Sequence, residues 1–250
     1  MWEAQSASYD RRCAPVLSGS HARSWGLWRI PEKELQILGP VRRLRVLELG
    51  CGAARWSIAL RKEGALSVGL DLTRAQLRQA RRLVQRSGID LPLVQGSAES
   101  VPFRDGSFDV VFCDWGAMTF ADPYRTIPEC SRLLSEGGLL AFACASPIRF
   151  LAHDRRSDRT TRRFLRDYFG MHRLDFDNEV NFVLPYGKWI ELMRDHDLAV
   201  ELLIETQPAP RARQPYLTAP EARWSRHWPM ECIWRARKVA GPSVRVSTGL

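Results

Sequence analysis

Short apolar runs alternate with amphipathic stretches over most of this chain. Val46, Leu47 and Leu49 belong to a run at 44–49, and further runs follow near 66–71, 92–95, 108–113 and 138–144. Each is short enough to be a strand buried on both faces, as in a parallel sheet. Between them, 54–63, 73–87 and 123–134 carry helical spacing. On 73–87, Leu77, Ala80 and Val84 make the sheet-facing stripe, while Arg74, Arg78, Arg81 and Arg82 recur on the solvent side. A short helix begins at Pro31, a residue suited to a first helical turn, and stops before Gly39-Pro40. Tyr186 to His196 reads as a later helix, Ala199 to Glu205 as a sixth strand and Glu231 to Arg237 as a seventh. The alternation predicts an α/β fold without internal repeats.

The first run ends in a turn that carries chemistry. Leu44 to Gly52 reads LRVLELGCG, in which Gly50 and Gly52 permit a sharp turn and close backbone approach before the first helix. A dinucleotide-binding turn wants glycine at its first, third and sixth positions, and here the sixth is Arg55. A phosphate-cradling loop needs Gly-Lys-Ser/Thr, yet no lysine lies between Lys33 and Lys62. Glu48, just before the turn, repels a pyrophosphate in a low-dielectric cleft and attracts an ammonium. The ligand implied is a nucleoside carrying positive charge. Asp71, at the end of the second run, is placed to accept both hydroxyls of a free ribose.

From this point the resemblance is specific. Glu48-Leu49-Gly50-Cys51-Gly52, Gly69-Leu70-Asp71, Gly96-Ser97-Ala98-Glu99 before Val101-Pro102-Phe103, and Phe108-Asp109-Val110-Val111 resemble the ordered motifs of the class I S-adenosylmethionine-dependent methyltransferases. Leu133-Leu134-Ser135-Glu136-Gly137-Gly138 is similar to that family's turn into its fifth strand. The resemblance spans about 40–146. It implies a Rossmann-like, seven-stranded, mostly parallel sheet with helices on both faces and an antiparallel last strand. It also implies S-adenosyl-L-methionine as cofactor. Glu48 and the turn of Gly50, Cys51 and Gly52 would hold the methionine moiety, Asp71 the ribose, and Ala98 and Glu99 the adenine, with Leu72 and Gln76 also in the cofactor site. Asp114, Trp115 and Gly116 would line the space beside the sulfonium methyl. One departure stands out: the family usually has glycine where this chain has Ala54, which predicts slightly tighter packing with binding retained.

Composition narrows the setting. At 250 residues and 45% hydrophobic content the chain suits one catalytic domain with a substantial core. The longest apolar stretch, Leu139 to Ala145, is too short to span a bilayer, and residues 1–20 lack the features of a secretory signal, so a cytoplasmic protein without membrane attachment is expected. The six cysteines include no CxxC pair or His-rich neighbour, and therefore predict neither a disulfide framework nor a metal site. A net charge of +9 invites a nucleic-acid partner. Against it, arginine outnumbers lysine 33 to 4 along the whole chain rather than in one patch.

Two segments outside the scaffold are expected to choose the methyl acceptor, because ligands of open α/β sheets sit beyond the carboxyl ends of the strands. The chain accordingly divides into an N-terminal helical lid segment at 1–40, a methyltransferase domain at 41–238 with an acceptor cap inserted at 147–182, and a frayed tail at 239–250. In the cap, Asp158 caps an expected helix whose apolar face is Phe164, Leu165, Tyr168 and Phe169. Tyr9, Trp25, Met118, Phe120, Tyr168 and Trp228 are the candidate acceptor-binding residues. His153 and Asp114 are the candidate catalytic groups, since a base is needed only where the acceptor must lose a proton. Cys113-Asp114-Trp115-Gly116 stands where an Asn-Pro-Pro-Tyr motif would mark amide or base-amine methylation, which argues against those acceptors. The expected activity is in-line methyl transfer to a small molecule, aromatic or otherwise apolar, of the kind found in secondary metabolism. An RNA methyltransferase and a cofactor-binding protein without transfer activity are the alternatives.

Overall fold

The computed structural model describes residues 22–154, 159–176, 179–209, 212, 214 and 217–241. Seven strands form one sheet: β1 (Arg45–Leu49), β2 (Leu66–Asp71), β3 (Leu93–Gln95), β4 (Phe108–Asp114), β5 (Leu134–Ala145), β6 (Leu198–Glu205) and β7 (Glu231–Lys238). Their order across the sheet is β6-β7-β5-β4-β1-β2-β3. The first five strands pair in parallel, whereas β7 is antiparallel to both β5 and β6. This is the Rossmann-like arrangement expected, with order reversing at β1 so that the crevice opens above the ends of β1 and β4.

Alternation along the strands builds two cores, one on each face. Val46 of β1 and Val110 and Phe112 of β4 pack with Trp25, Ile37 and Trp56 on one side. Leu47, Leu49, Val111 and Cys113 turn to the other, against Phe142, Trp189 and Trp234. Both faces are apolar, so the strands read as continuous hydrophobic runs. Helices α1 (Arg55–Lys62), α2 (Arg74–Ser87), α3 (Pro123–Leu133), α4 (Pro147–Ala152) and α5 (Tyr186–Asp195) complete the scaffold. On α2 the expected stripe is inward, with Leu77 and Ala80 buried beside Ile58 of α1. Asp122 caps α3 by accepting from the Tyr124 amide at 3.0 Å, and Pro123 fills its first turn.

Two expectations are corrected here. The expected helix through Phe164 to Phe169 is absent: the amides of Thr161 and Leu165 donate outward to the Ala152 and Leu151 carbonyls at 2.7 and 2.8 Å, a tertiary pairing that replaces an intrahelical ladder. Its supposed apolar face is split, with Phe164 72% and Phe169 87% exposed. The second concerns Ala54, which is the N-cap of α1 at φ 57°, ψ 31°. Its departure from glycine is therefore conformational, since a left-handed alanine costs roughly 1–2 kcal/mol. Asp158 and Tyr9 lie outside the described residues.

Trp25 is fully buried, its ring centroid 5.1 Å from Trp56 and 6.1 Å from Phe112, and its indole N–H donates to the buried Glu32. It is a core residue rather than an acceptor contact. Trp25→Ala is expected to destabilise the fold by about 3–5 kcal/mol, read as a lowered urea midpoint. A midpoint within experimental error of the parent would show that the residue is not packed in this way.

Candidate active site

The floor of the site is the turn between β1 and α1. Gly50 adopts φ 66°, and a Cβ there would come within 2.6 Å of the Ala117 amide nitrogen. Reciprocally, a Cβ on Gly116 would meet the Gly50 carbonyl at 2.6 Å. The turns leaving β1 and β4 are thus in backbone contact, which only glycine at both places permits. Three carboxyl groups at strand ends hold the surrounding loops. Glu48 accepts from the Ser57 amide at 2.9 Å and from its hydroxyl. Asp71 accepts from the Gly52 and Thr73 amides, each at 2.8 Å. Asp114 accepts from the Gly26 amide at 2.8 Å and from the Trp56 indole at 3.3 Å.

A fourth carboxyl, Glu231 at the start of β7, is fully buried. It accepts from the Leu27 amide at 2.6 Å, the Thr206 hydroxyl at 2.9 Å and the Trp115 indole N–H. Asp114 and Glu231 therefore clamp successive amides of the small hairpin formed by Ser24–Trp25 and Ile30–Pro31. Trp115 itself sits at φ 58°, a left-handed position for a bulky residue that the Glu231 bond holds in place.

Above this floor lies a cavity of about 460 Å³, within the usual size range of small-molecule sites. Glu48, Gly50, Cys51, Gly52, Asp71 and Leu72 line one end, joined by Gln76 and Ala98, as the resemblance implies. Asp114, Trp115, Gly116 and Phe120 line it as well, and so does His153, only 5% exposed. Five candidates lie elsewhere. Glu99 turns away to accept from the Asp122 amide at 3.0 Å and to pair with Arg125 at 3.3 Å. Met118 is fully buried in the core beneath the sheet, and Trp25 belongs to the opposite core. The Tyr168 hydroxyl accepts from the Tyr186 amide at 3.0 Å, and Trp228 stacks on Trp224 at 5.4 Å.

Sequence reasoning missed Arg29, Arg55, Arg149, Phe150 and Phe176, all of which line the cavity. Arg149 rests over the Trp115 and Phe150 rings at 6.0 and 5.9 Å. The available signal was position alone: Arg149, Phe150 and Phe176 fall in the 147–182 insertion, and Arg29 in the N-terminal segment.

Residues 47–142 match the model of a methyltransferase domain family. Over those residues the chain is similar to a methyltransferase domain. It is 34% identical over 95 residues to the uncharacterized methyltransferase YcgJ of Bacillus subtilis (strain 168), covering 38% of each chain. It is 30% identical over 146 residues to the demethylmenaquinone methyltransferase of Listeria welshimeri serovar 6b, covering 56% of this chain and 59% of that one. The chain thus spans well under two thirds of these relatives' lengths. Its fold is shared with an S-adenosylmethionine-dependent methyltransferase from Mesorhizobium loti, with a TM-score of 0.66, 22% identity, and coverage of 81% of this chain and 94% of that one. Among the described residues no helix is long and apolar enough to cross a membrane, and no His/Cys/Asp/Glu group is arranged to hold a metal.

The site has a donor set that fits a cationic nucleoside. Amides fix the Asp71 carboxylate, which would face a ribose on the resemblance, and the Gly50–Gly116 contact leaves a cradle lined by backbone. Burial pushes Glu48 up to about 8, against the opposing bonds from Ser57. Burial likewise raises Glu231 to about 7, partly countered by the Leu27 amide and the Trp115 indole, and raises Asp114, partly countered by the Arg29 charge. A cation bound here relieves the cost of ionising these acids. The Cys51 thiol beside them is also raised by burial, so it stays protonated and inert.

For the ligand-free protein these shifts fix the direction of a pH dependence. Glu48 and Glu231 keep their protons to about 8 and about 7 in the folded chain but release them near 4–5 when unfolded. Between those values the folded state binds more protons, so stability falls as pH rises from 5 to 8, by up to about 1.4 kcal/mol per unit for each group. Denaturant midpoints measured across that range are expected to decline, and Glu48→Gln to flatten the decline. A midpoint that rises with pH would contradict the burial of these acids.

Proposed function

We propose that this chain transfers a methyl group from S-adenosylmethionine to a small-molecule acceptor. The observation that carries the reading is the continuity of one cavity, from Asp71 and Ala98 at the donor end to Arg149, Phe150, His153 and Phe176 in the insertion. The donor supplies a methyl group already activated on a sulfonium, with a neutral thioether as leaving group. The protein's work is then alignment and exclusion of water. Asp71 orients the ribose, Gly50 and Gly52 bring backbone against the methionine moiety, and Trp115 and Phe120 wall the space where acceptor and methyl meet.

His153 is the base of this reading. It lies within the cavity wall, its ring 5.6 Å from Phe176 and 6.5 Å from Phe150, and an imidazole is the side chain type suited to proton transfer near neutrality. As the acceptor's lone pair forms the new bond to the methyl, its displaced proton passes to the imidazole. Asp114, committed to the Gly26 amide and the Trp56 indole, serves the donor side instead. Residues 1–40 act as a lid and 147–182 as the acceptor cap. The aromatic lining favours an aromatic or largely apolar cytoplasmic metabolite, such as an intermediate of secondary metabolism. The relative named demethylmenaquinone methyltransferase supports a small molecule as acceptor.

Three measurements test this. Asp71→Ala is expected to weaken donor binding at least tenfold by calorimetry, while NAD binds neither protein; comparable affinity for NAD would sink the donor assignment. With radiolabelled donor and fractionated cell extract, label is expected in small molecules. Label in RNA would replace the reading with RNA methylation, and label in neither fraction despite tight donor binding would leave a binding protein. Once the acceptor is found, His153→Ala is expected to lower kcat about 10²–10⁴-fold with loss of the acidic limb of the pH profile. An unchanged profile removes His153 from the chemistry.

A further inference from the structure

The turn of the N-terminal hairpin is fixed more firmly than its length explains. Its four residues, Gly26 to Arg29, follow the Trp25–Ile30 pair and close through the Arg29 amide on the Gly26 carbonyl at 3.4 Å. Two acids from the sheet then hold it: Asp114 on the Gly26 amide and the fully buried Glu231 on the Leu27 amide. Gly26 has φ 67°, and a Cβ there would run into the Glu231 carboxylate. Arg29 follows in the left-handed region at φ 54°, and Gly26, Leu27 and Arg29 all line the cavity.

This brings a guanidinium into the site beside an acid. The Arg29 charge acts on Asp114, yet Arg29 Nε is buried with no hydrogen-bond partner among the described residues. A buried donor of that kind costs about 1–3 kcal/mol unless a ligand completes it. Asp114 lines the cavity together with Glu48, whose ionisation it disfavours, and its own turn at Gly116 is in backbone contact with the glycine turn at Gly50. The head of methionine is a zwitterion, with an ammonium and a carboxylate on one carbon. One acid and one guanidinium that line the same cavity match that pair of charges.

We propose that Arg29 binds the donor's α-carboxylate while Asp114 takes its ammonium, so that the N-terminal hairpin is part of the cofactor site and not only a cover for the acceptor. The planar fork of arginine suits bidentate capture of a carboxylate, and the clamped turn holds it before the ligand arrives. The inference rests on S-adenosylmethionine being the donor.

The test compares two ligands by calorimetry: S-adenosylhomocysteine and its decarboxylated analogue, which keeps the ammonium. Arg29→Asn is the variant of choice because asparagine tolerates the left-handed backbone. It is expected to weaken S-adenosylhomocysteine at least tenfold and to leave the decarboxylated analogue within about twofold, and the second result also reports an intact fold. Equal loss for both ligands makes Arg29 merely structural, and no loss for either overturns the assignment. Carboxylate-selective loss in Arg55→Met but not in Arg29→Asn transfers the role to Arg55 and overturns it too. If the parent protein binds neither compound, the donor assignment itself has failed.

Discussion

Everything around the cavity depends on acids that have been taken out of water and given backbone amides in exchange. Glu48, Asp71, Asp114 and Glu231 each stand at the end of a strand that faces the crevice, and each accepts from the amide of a loop or helix that has to be held there. Desolvating a carboxyl is costly, and hydrogen bonds from amides offset the cost only when their geometry is fixed. The first turn of α1, the glycine turn, and the N-terminal hairpin are thereby locked to one sheet edge. The same acids make that edge receptive to a cation, so the groups that order the loops also choose the ligand.

Much of this was legible in the sequence because it was local. Strand and helix periods, the glycine turn and the acid at the tip of β2 all follow from neighbours within a few residues. Failures came where the decision is tertiary. Trp25 and Met118 look like acceptor contacts in a one-dimensional list of aromatic and soft residues, but the hairpin carries Trp25 into one core and the short helix Ala117–Phe120 carries Met118 into the other. Glu99 sits where an adenine partner is expected, yet the start of α3 offers it an amide and an arginine first. The stretch through Phe164 and Phe169 has helical spacing without a surface to pack on, and its amides find carbonyls of α4 instead. Arg29, Arg149 and Phe176 carried no pattern at all, since they reach the cavity through connections whose course the sequence does not encode locally.

The two ends of the cavity are built by different means. The end nearest Asp71 is made from backbone, glycines and strand-end acids of the sheet scaffold, with Cys51 and Ala54 buried there. At the acceptor end the walls are side chains of an insertion: Arg149 over Trp115 and Phe150, and His153 against Phe176. Trp115 belongs to both, since its backbone leaves β4 at the donor end while its ring supports Arg149. On the proposed reading the fold supplies the donor end, and the insertion supplies the acceptor end.

The reversed direction of β7 has a consequence for where acids can come from. In a wholly parallel sheet only the last residue of a strand reaches the ligand edge, and everything before it is committed to the interior. A strand running the other way arrives at that edge with its first residue, so Glu231 meets Ala145, the end of β5, in register. A chain can therefore enter its final strand from the crevice and leave a charged group there at the moment of entry. The antiparallel strand works as a second way into the site, open to residues that follow the sheet in sequence and not just to those that lead out of it.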